Sequence, residues 1–502
     1  CYSLLRRVSK TVFGAYSGRL RCPRIHCVEY MSDKLHTLEN SLHEIVRGYP
    51  FPVHWQVRDL ATRQTVGEGE HEVLGAFSTR KVSVLLACLT LVKSGKLALD
   101  DTYVIDDELK DGVQAGIMRH LSSGIELSLR DHLAQMMITS DNICTQIVFR
   151  AIGEVTGDAL QWVNDYCVQV GMRDSLHREI FPRSAELEWS HSIESMTVTS
   201  AHDQALILEW LARGSRHQED AAFLGLTTQL CDTAIKLLSN LLTPMLGASL
   251  DWGHFAEKNG RGIRGLSQVG LLLDAADQPV ASVAVFADSI PVEYRDGTPG
   301  RMRAQEMFVE FGKAIESFYL DTNHVDAMKR QVVEPDYWGQ EFGDLLYAVE
   351  GGRAVHDDMV FTFSGVGKLF FACTLAELES ITPGVFDDRL DIREHHRLNA
   401  YTGSLLHLSG SMRVTVDDAM HLMIGSGDGA ATMALLEYFT ARGIDIVEHG
   451  RRYVASLNST TITGVEERSS GEGFTGTTTA ADLLTVLRRV IEDDGRVKQW
   501  MS

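Results

Sequence analysis

Residues 76–89, AFSTRKVSVLLACL, place Ser78 three residues before Lys81 at the head of an almost unbroken apolar run. The run predicts a buried helix, and residues three apart on a helix share a face. A serine at a helix N-terminus is an ordinary cap. It is also where the macrodipole and free N–H groups favour an alkoxide and a developing oxyanion. A buried Lys81 sheds its charge readily and can then take the hydroxyl proton. Ser-x-x-Lys recurs by chance in a long chain, so its meaning depends on what accompanies it.

Two elements accompany it. Ser140-Asp141-Asn142 lies between the apolar stretches LAQMMI and ICTQIVF, so three polar groups interrupt buried surface and need partners or a role. Lys258-Asn259-Gly260 follows on the strand-like HFAEKNG, and glycines at 260, 262 and 265 are expected to let a substrate backbone lie close. Taken singly, these tripeptides also fit an Asx-rich turn and a strand end.

Outward from these motifs, a helix is predicted from Met31 to Val46, then strands in PVHWQV and QTVGEGEHEV, then a helix-rich middle from Ser78 to Gly247. HFAEKNG, SQVGLLLD and VASVAVFAD read as consecutive antiparallel strands. A closing helix, RMRAQEMFVEFGKAIESFY, carries Met302, Phe308, Phe311, Ile315 and Phe318 on one face. Strands at both ends of a unit form one antiparallel sheet only if the termini return to pair, leaving the middle as a helical lobe beside it. The expected class is α+β, a three-layer αβα arrangement.

The rest of the chain repeats this unit. DDTYVIDDELKDGVQAGIMRHLSSGIELSLRD (100–131) lies without a gap on DDRLDIREHHRLNAYTGSLLHLSGSMRVTVDD (387–418), and the same register brings Ser140-Asp141-Asn142 onto Gly427-Asp428-Gly429. TSAHDQALILEWL is echoed by TTAADLLTVLRRV. The reading is a tandem duplication: a leader of little order at 1–30, a complete unit at 31–320, and an incomplete, degenerate copy at 321–502 without counterparts of the three C-terminal strands.

In order and spacing, the three motifs of the first copy resemble the serine β-lactamase and penicillin-binding superfamily, and most closely the class A β-lactamases, with S-x-x-K, S-D-N and K-T-G. The resemblance covers about residues 35–320. It implies that Ser78 attacks a carbonyl and is acylated, with Lys81 as its base or proton relay. Ser140 would pass a proton to the leaving nitrogen, Asn142 would bind a substrate amide, and Lys258, with Asn259 and Gly260, would attract a substrate carboxylate and support Ser140. The N–H groups of Ser78 and Arg261 would form the oxyanion hole. The implied reaction is opening of a β-lactam or related cyclic amide. A D-Ala peptidase or small-ester hydrolase on the same fold, and a non-catalytic scaffold descended from such an enzyme, are the alternatives.

The chain departs from the pattern at Asn259, which stands where the family has Thr, and at Ser184, which stands where class A enzymes carry the water-activating Glu of E-x-x-L-N. Glu179, Glu186 and Glu188 are the candidate substitutes. Acylation is therefore better supported than deacylation. In the second copy, TFSGVGKLFFACTL offers Ser364, but its lysine, Lys368, is one residue too far on, and Gly427 and Gly429 lack the groups of Ser140 and Asn142. That half is expected to be structural. Its incomplete sheet leaves an open edge, which invites contact with the first copy or with another chain.

Composition bears on the partners, and the small-molecule substrate is what the resemblance implies. A formal net charge of -21 over 502 residues, with no basic face, argues against nucleic acid. No apolar run is long enough to span a membrane. Eight scattered cysteines do not form a disulfide framework, and Cys22, His26 and Cys27 lack a second ligand pair. His395 and His396 beside Glu394 read as solvated surface, so no metal and no cofactor is expected. The first thirty residues hold six Arg/Lys and no apolar h-region, so a cytoplasmic location is expected, and a chain opening on Cys1 is read as a fragment.

Overall fold

In the computed structural model of the chain, which describes residues 23–180, 193–323, 347–349, 353–355, 357–363, 365–465, 473–492 and 495–501, the N-terminal strand Val53–Asp59 returns to pair with Pro279–Ala287. The result is a five-stranded antiparallel sheet in the order Thr65–Glu68, Val53–Asp59, Pro279–Ala287, Leu266–Leu273, His254–Arg261.

Side chains alternate across a strand, so each strand feeds two cores. Val53, Trp55 and Val57 share one core with Leu38 and Leu42 of the helix Pro23–Arg47 and with Phe308, Phe311 and Ile315 of the helix Gly300–Asn323. Trp55 is fully buried and meets Phe311 edge-on at 5.4 Å. Val269, Leu271, Ala284 and Phe286 line the opposite face and join the core of the helical lobe. Helices, sheet and helical lobe give the three layers that the sequence predicts.

Some boundaries differ. The first helix begins at Pro23 rather than Met31, with proline at its first position, where the missing N–H costs nothing. Residues 1–22, including Cys22, lie outside the described residues. The second strand ends at Glu68. Met302 is 53% exposed at the head of its helix, and Ala304 and Met307 fill the apolar stripe in its place.

The second half repeats the elements of the first at a constant shift of 287 residues, which carries Asp131 onto Asp418. The hairpin Thr102–Ile105/Ile125–Ser128 recurs as Arg389–Ile392/Met412–Thr415. The helices Lys81–Lys93, Leu129–Ile138 and Asn142–Thr156 recur as Gly367–Ile381, Val416–Gly425 and Gly429–Ala441. Beyond them the shift drops to 279, Asp203 onto Asp482, because the connecting loop is shorter; each aspartate donates its N–H to the residue capping its helix, Ser200 or Thr479.

Among the described residues nothing corresponds to the three C-terminal strands of the first half. The pair Leu74–Gly75/Val198–Thr199 recurs as Phe361–Thr362 with Phe474–Thr478, which Thr461–Val465 extends to a three-stranded sheet. Among the described residues no strand of one half pairs with a strand of the other. The halves meet through their helical lobes, whose apolar residues form one continuous core.

Candidate active site

The turn before Lys81 differs from the expected helix N-terminus. Phe77–Arg80 is a 3-10 turn and the α-helix starts at Lys81. Phe77 adopts a φ of +46°, sterically costly for a residue with a side chain. Its ring packs over the strand end, where a Cβ at Gly262 or Gly265 would overlap it. Those glycines make room for the Phe77 ring and also line the cleft. Ser78, half-buried beside them, lines a cleft of about 840 Å³; its carbonyl accepts the Lys81 N–H, and its hydroxyl makes no hydrogen bond to the described residues.

Lys81 is 2% exposed. Its Nζ donates to the Ser140 carbonyl at 2.6 Å, to Asn142 Oδ1 at 2.8 Å and to Ser140 Oγ at 3.1 Å. Burial, helped by the Arg80 charge and opposed by Asp141, lowers its pKa to about 7. Lys81 therefore gives up its proton at a lower pH than an exposed lysine does.

The turn holding Ser140 is built by Asp141, which is fully buried and accepts the N–H groups of Cys144 and Met118 at 3.0 Å each. Desolvation pushes its carboxyl pKa up. Ser140 has a φ of +61°, a left-handed conformation that glycine adopts freely and serine does not. Thus Ser78, Lys81, Ser140 and Asn142 converge on one cleft wall, from segments sixty residues apart in the chain.

A family model of the "beta-lactamase enzyme family" matches residues 37–315 and 342–501. The chain belongs to that family. Solved structures similar to part of it include a beta-lactamase from Sphaerobacter thermophilus (21% identity, 56% of this chain and 97% of that one, TM-score 0.45). PBP-A (15%, 57% and 96%, 0.46) and the TLA-3 extended-spectrum beta-lactamase (15%, 57% and 99%, 0.47) are others. No curated protein matches the chain.

In this beta-lactamase family member the third motif is arranged differently from its expected role. Lys258 is fully buried, and its Nζ donates to Asn259 Oδ1 at 2.8 Å and to the Asn259 carbonyl at 3.2 Å; no bond joins it to Ser140. Burial, with Lys81 and Arg261 nearby, holds its pKa well below the usual lysine range. Asn259 Nδ2 donates to Thr243 Oγ1 at 2.7 Å. Asn259 and Thr243, rather than Lys258, line the cleft. Gly260 packs against Phe77 and Thr79, and the exposed Arg261 side chain lies at the mouth.

Glu179 lines the cleft and is bound to Arg80 and Thr197. Its Oε1 accepts Arg80 Nη1 at 2.9 Å and Thr197 Oγ1 at 2.8 Å, fastening the loop to the buried guanidinium next to Lys81. Burial lowers the Arg80 pKa to about 10 and Glu179 opposes the shift. The second Glu179 oxygen is buried without a partner. Glu186, Glu188 and Ser184 lie outside the described residues. Arg80, Thr197 and Thr243 were not singled out from the sequence. Arg80 alone left a trace there, as a charge inside an otherwise apolar helix start.

The second half keeps part of the frame of this site among the described residues. Lys368 Nζ donates to the Gly427 carbonyl at 3.1 Å, and Asp428 accepts the N–H groups of Leu405 and Ala431 as Asp141 does those of Met118 and Cys144. Lys368 is thus in register with Lys81, and Gly365, not Ser364, stands opposite Ser78. Ser364 lies outside the described residues. The expected misplaced lysine is in place, and the serine is what is missing.

His395 and His396 also differ from expectation: their partner is Glu437, not Glu394, and His396 is buried. They are the one group of three or more metal-ligating side chains among the described residues. His396 Nδ1 accepts the Arg393 N–H at 3.0 Å, so its proton sits on Nε2 and is donated to Glu437 at 3.0 Å. That tautomer does not offer Nε2 to a metal.

Proposed function

We propose that the protein is a serine hydrolase that opens a β-lactam or related cyclic amide through an acyl-enzyme on Ser78, with catalysis confined to a domain at 31–320 and a non-catalytic second domain at 321–502. The reading rests on Lys81: a buried amine with a pKa of about 7, bonded to Ser140 and Asn142 and one helical turn from Ser78.

In this scheme neutral Lys81, directly or through the Ser140 hydroxyl, takes the Ser78 proton as Oγ attacks the carbonyl carbon. The N–H groups of Ser78 and Arg261 stabilise the oxyanion. The C–N bond then breaks as Ser140 Oγ–H protonates the leaving nitrogen and is reprotonated from Lys81. Asn142 Oδ1 is held by Lys81, which leaves its Nδ2 to donate to a substrate carbonyl.

Hydrolysis of the ester needs a water and a base. Glu179 already accepts from Arg80 and Thr197, so its engaged oxygen is a loop anchor first. This observation favours a second reading, a slow-deacylating penicillin-binding or small-ester site on the same machinery. Parallel assays with a chromogenic cephalosporin, a D-Ala-D-Ala peptide and a short-chain ester separate the two. β-Lactam turnover supports the first, turnover of the peptide or ester alone supports the second, and no adduct and no turnover with any of them rejects both.

A further inference from the structure

The halves are joined by a pair of equivalent contacts. Ser409 N–H donates to Asp131 Oδ1, and Ser122 N–H donates to Asp418 Oδ1, both at 2.6 Å. Each bond maps onto the other under the 287-residue shift. Ser128 and Ser409 hydroxyls approach to 3.4 Å, and the His120 and His421 rings stack at 5.8 Å. The helix Leu129–Ile138 packs on the turn Ser404–His407 while Val416–Gly425 packs on Ile117–His120. This is the self-complementary geometry of a two-fold interface, built within one chain.

The symmetry breaks beside the catalytic turn. Gln135, fully buried, donates from Nε2 to the Ser404 carbonyl of the second half at 2.8 Å. Its counterpart is Leu422, which has no such donor. At its other end, Gln135 Oε1 lies 3.3 Å from the Thr139 hydroxyl, whose single proton it shares with the Gln135 backbone carbonyl. Its backbone carbonyl accepts the N–H groups of Thr139 and Asp141, each at 3.2 Å, and the Thr139 hydroxyl at 2.8 Å. Those residues flank Ser140, whose φ of +61° is matched by +68° at Gly427. The copy that carries the costly left-handed serine carries the extra polar tether, and the copy with glycine there has leucine instead.

We infer that the second half acts as a built-in support for the Ser140 turn, and that Gln135 is the positioning residue through which it does so. A left-handed serine persists only where its surroundings over-determine it. The Ser404 carbonyl fixes the Gln135 amide, and the amide holds Thr139, the residue next to Ser140. The consequence for catalysis rests on the function proposed above; the consequence for the turn does not.

The test is Gln135→Leu, the second half's own residue, in the full chain. Hydrogen exchange of the 139–142 amides is read together with the rate of Ser78 acylation by a cephalosporin. Exchange is expected to rise about tenfold and acylation to fall five- to tenfold with little change in KM. In a Ser140→Gly background, where the strain is gone, adding Gln135→Leu should leave exchange nearly unchanged. Thr139→Val cuts the link from its other end and gives the same readout should Gln135→Leu not fold. Unchanged exchange at 139–142 in the folded variant overturns the inference. Accelerated exchange in a protein whose parent forms no adduct leaves the support standing and removes only the proposed chemistry.

Discussion

Lys81 and Lys368 hold equivalent carbonyls in the two halves, Ser140 O at 2.6 Å and Gly427 O at 3.1 Å. The second half therefore kept its lysine and its buried aspartate while glycine stands at all three positions equivalent to Ser78, Ser140 and Asn142. A lysine that tethers a turn has a structural use without a nucleophile beside it. Lys368→Ala is expected to destabilise the second half by about 1–2 kcal/mol through the lost charge-assisted hydrogen bond, with β-lactam turnover within twofold of the parent. Denaturant melts with parallel kinetics check both. A tenfold loss of turnover without unfolding would place chemistry in the second half.

The pKa of Lys81, lowered to about 7 by burial, sets a pH profile. Below it Lys81 is charged and cannot accept the Ser78 proton, so the acylation rate should fall about tenfold per pH unit; above it the rate should level off. Rapid-quench acylation between pH 5 and 9 reads this directly. Lys81→Ala should lower the rate by about 10²–10⁴ and abolish the inflection.

The motifs that the sequence exposed are local ones. Ser78 with Lys81 is one helical turn, and Ser140-Asp141-Asn142 is one polar break between apolar helices, so spacing and polarity reveal them. The antiparallel sheet was legible because its strands alternate and its closing helix has an apolar face. What stayed hidden depends on contacts between distant segments: Arg80 with Glu179, Asn259 with Thr243, and the two-fold contact between halves. Nothing local shows Phe77 lying over Gly262 and Gly265. Ser364 was paired with Lys368 by motif matching, whereas the register of the repeat pairs Lys368 with Lys81 and leaves Gly365 opposite Ser78.

Glu179→Gln removes the charge that compensates buried Arg80. Breaking a buried ion pair from one side costs about 3–5 kcal/mol, and the partial exposure of Glu179 (26% of its side chain) reduces this to about 2–3 kcal/mol. The expected result is a lower Tm with an unchanged acyl-enzyme half-life. A half-life lengthened a hundredfold would instead identify Glu179, through its unpartnered second oxygen, as the group that activates water.

Asn259→Thr restores the family's residue and removes the acceptor that pins Lys258. Lys258 Nζ then keeps the carbonyl of residue 259, and a threonine hydroxyl at the cleft wall becomes the group offered to an incoming carboxylate. KM for a carboxylate-bearing β-lactam is expected to fall about three- to tenfold, and KM for its methyl ester to stay the same, as steady-state kinetics on the pair would show.

Intact-protein mass, recorded at seconds to minutes after mixing with a chromogenic cephalosporin and with Ser78→Ala as control, tests the acyl-enzyme most directly. The account expects the parent to gain the mass of the opened cephalosporin on Ser78, transiently or stably, and Ser78→Ala to gain nothing. An adduct of equal yield in Ser78→Ala, or turnover that survives the substitution, would contradict it.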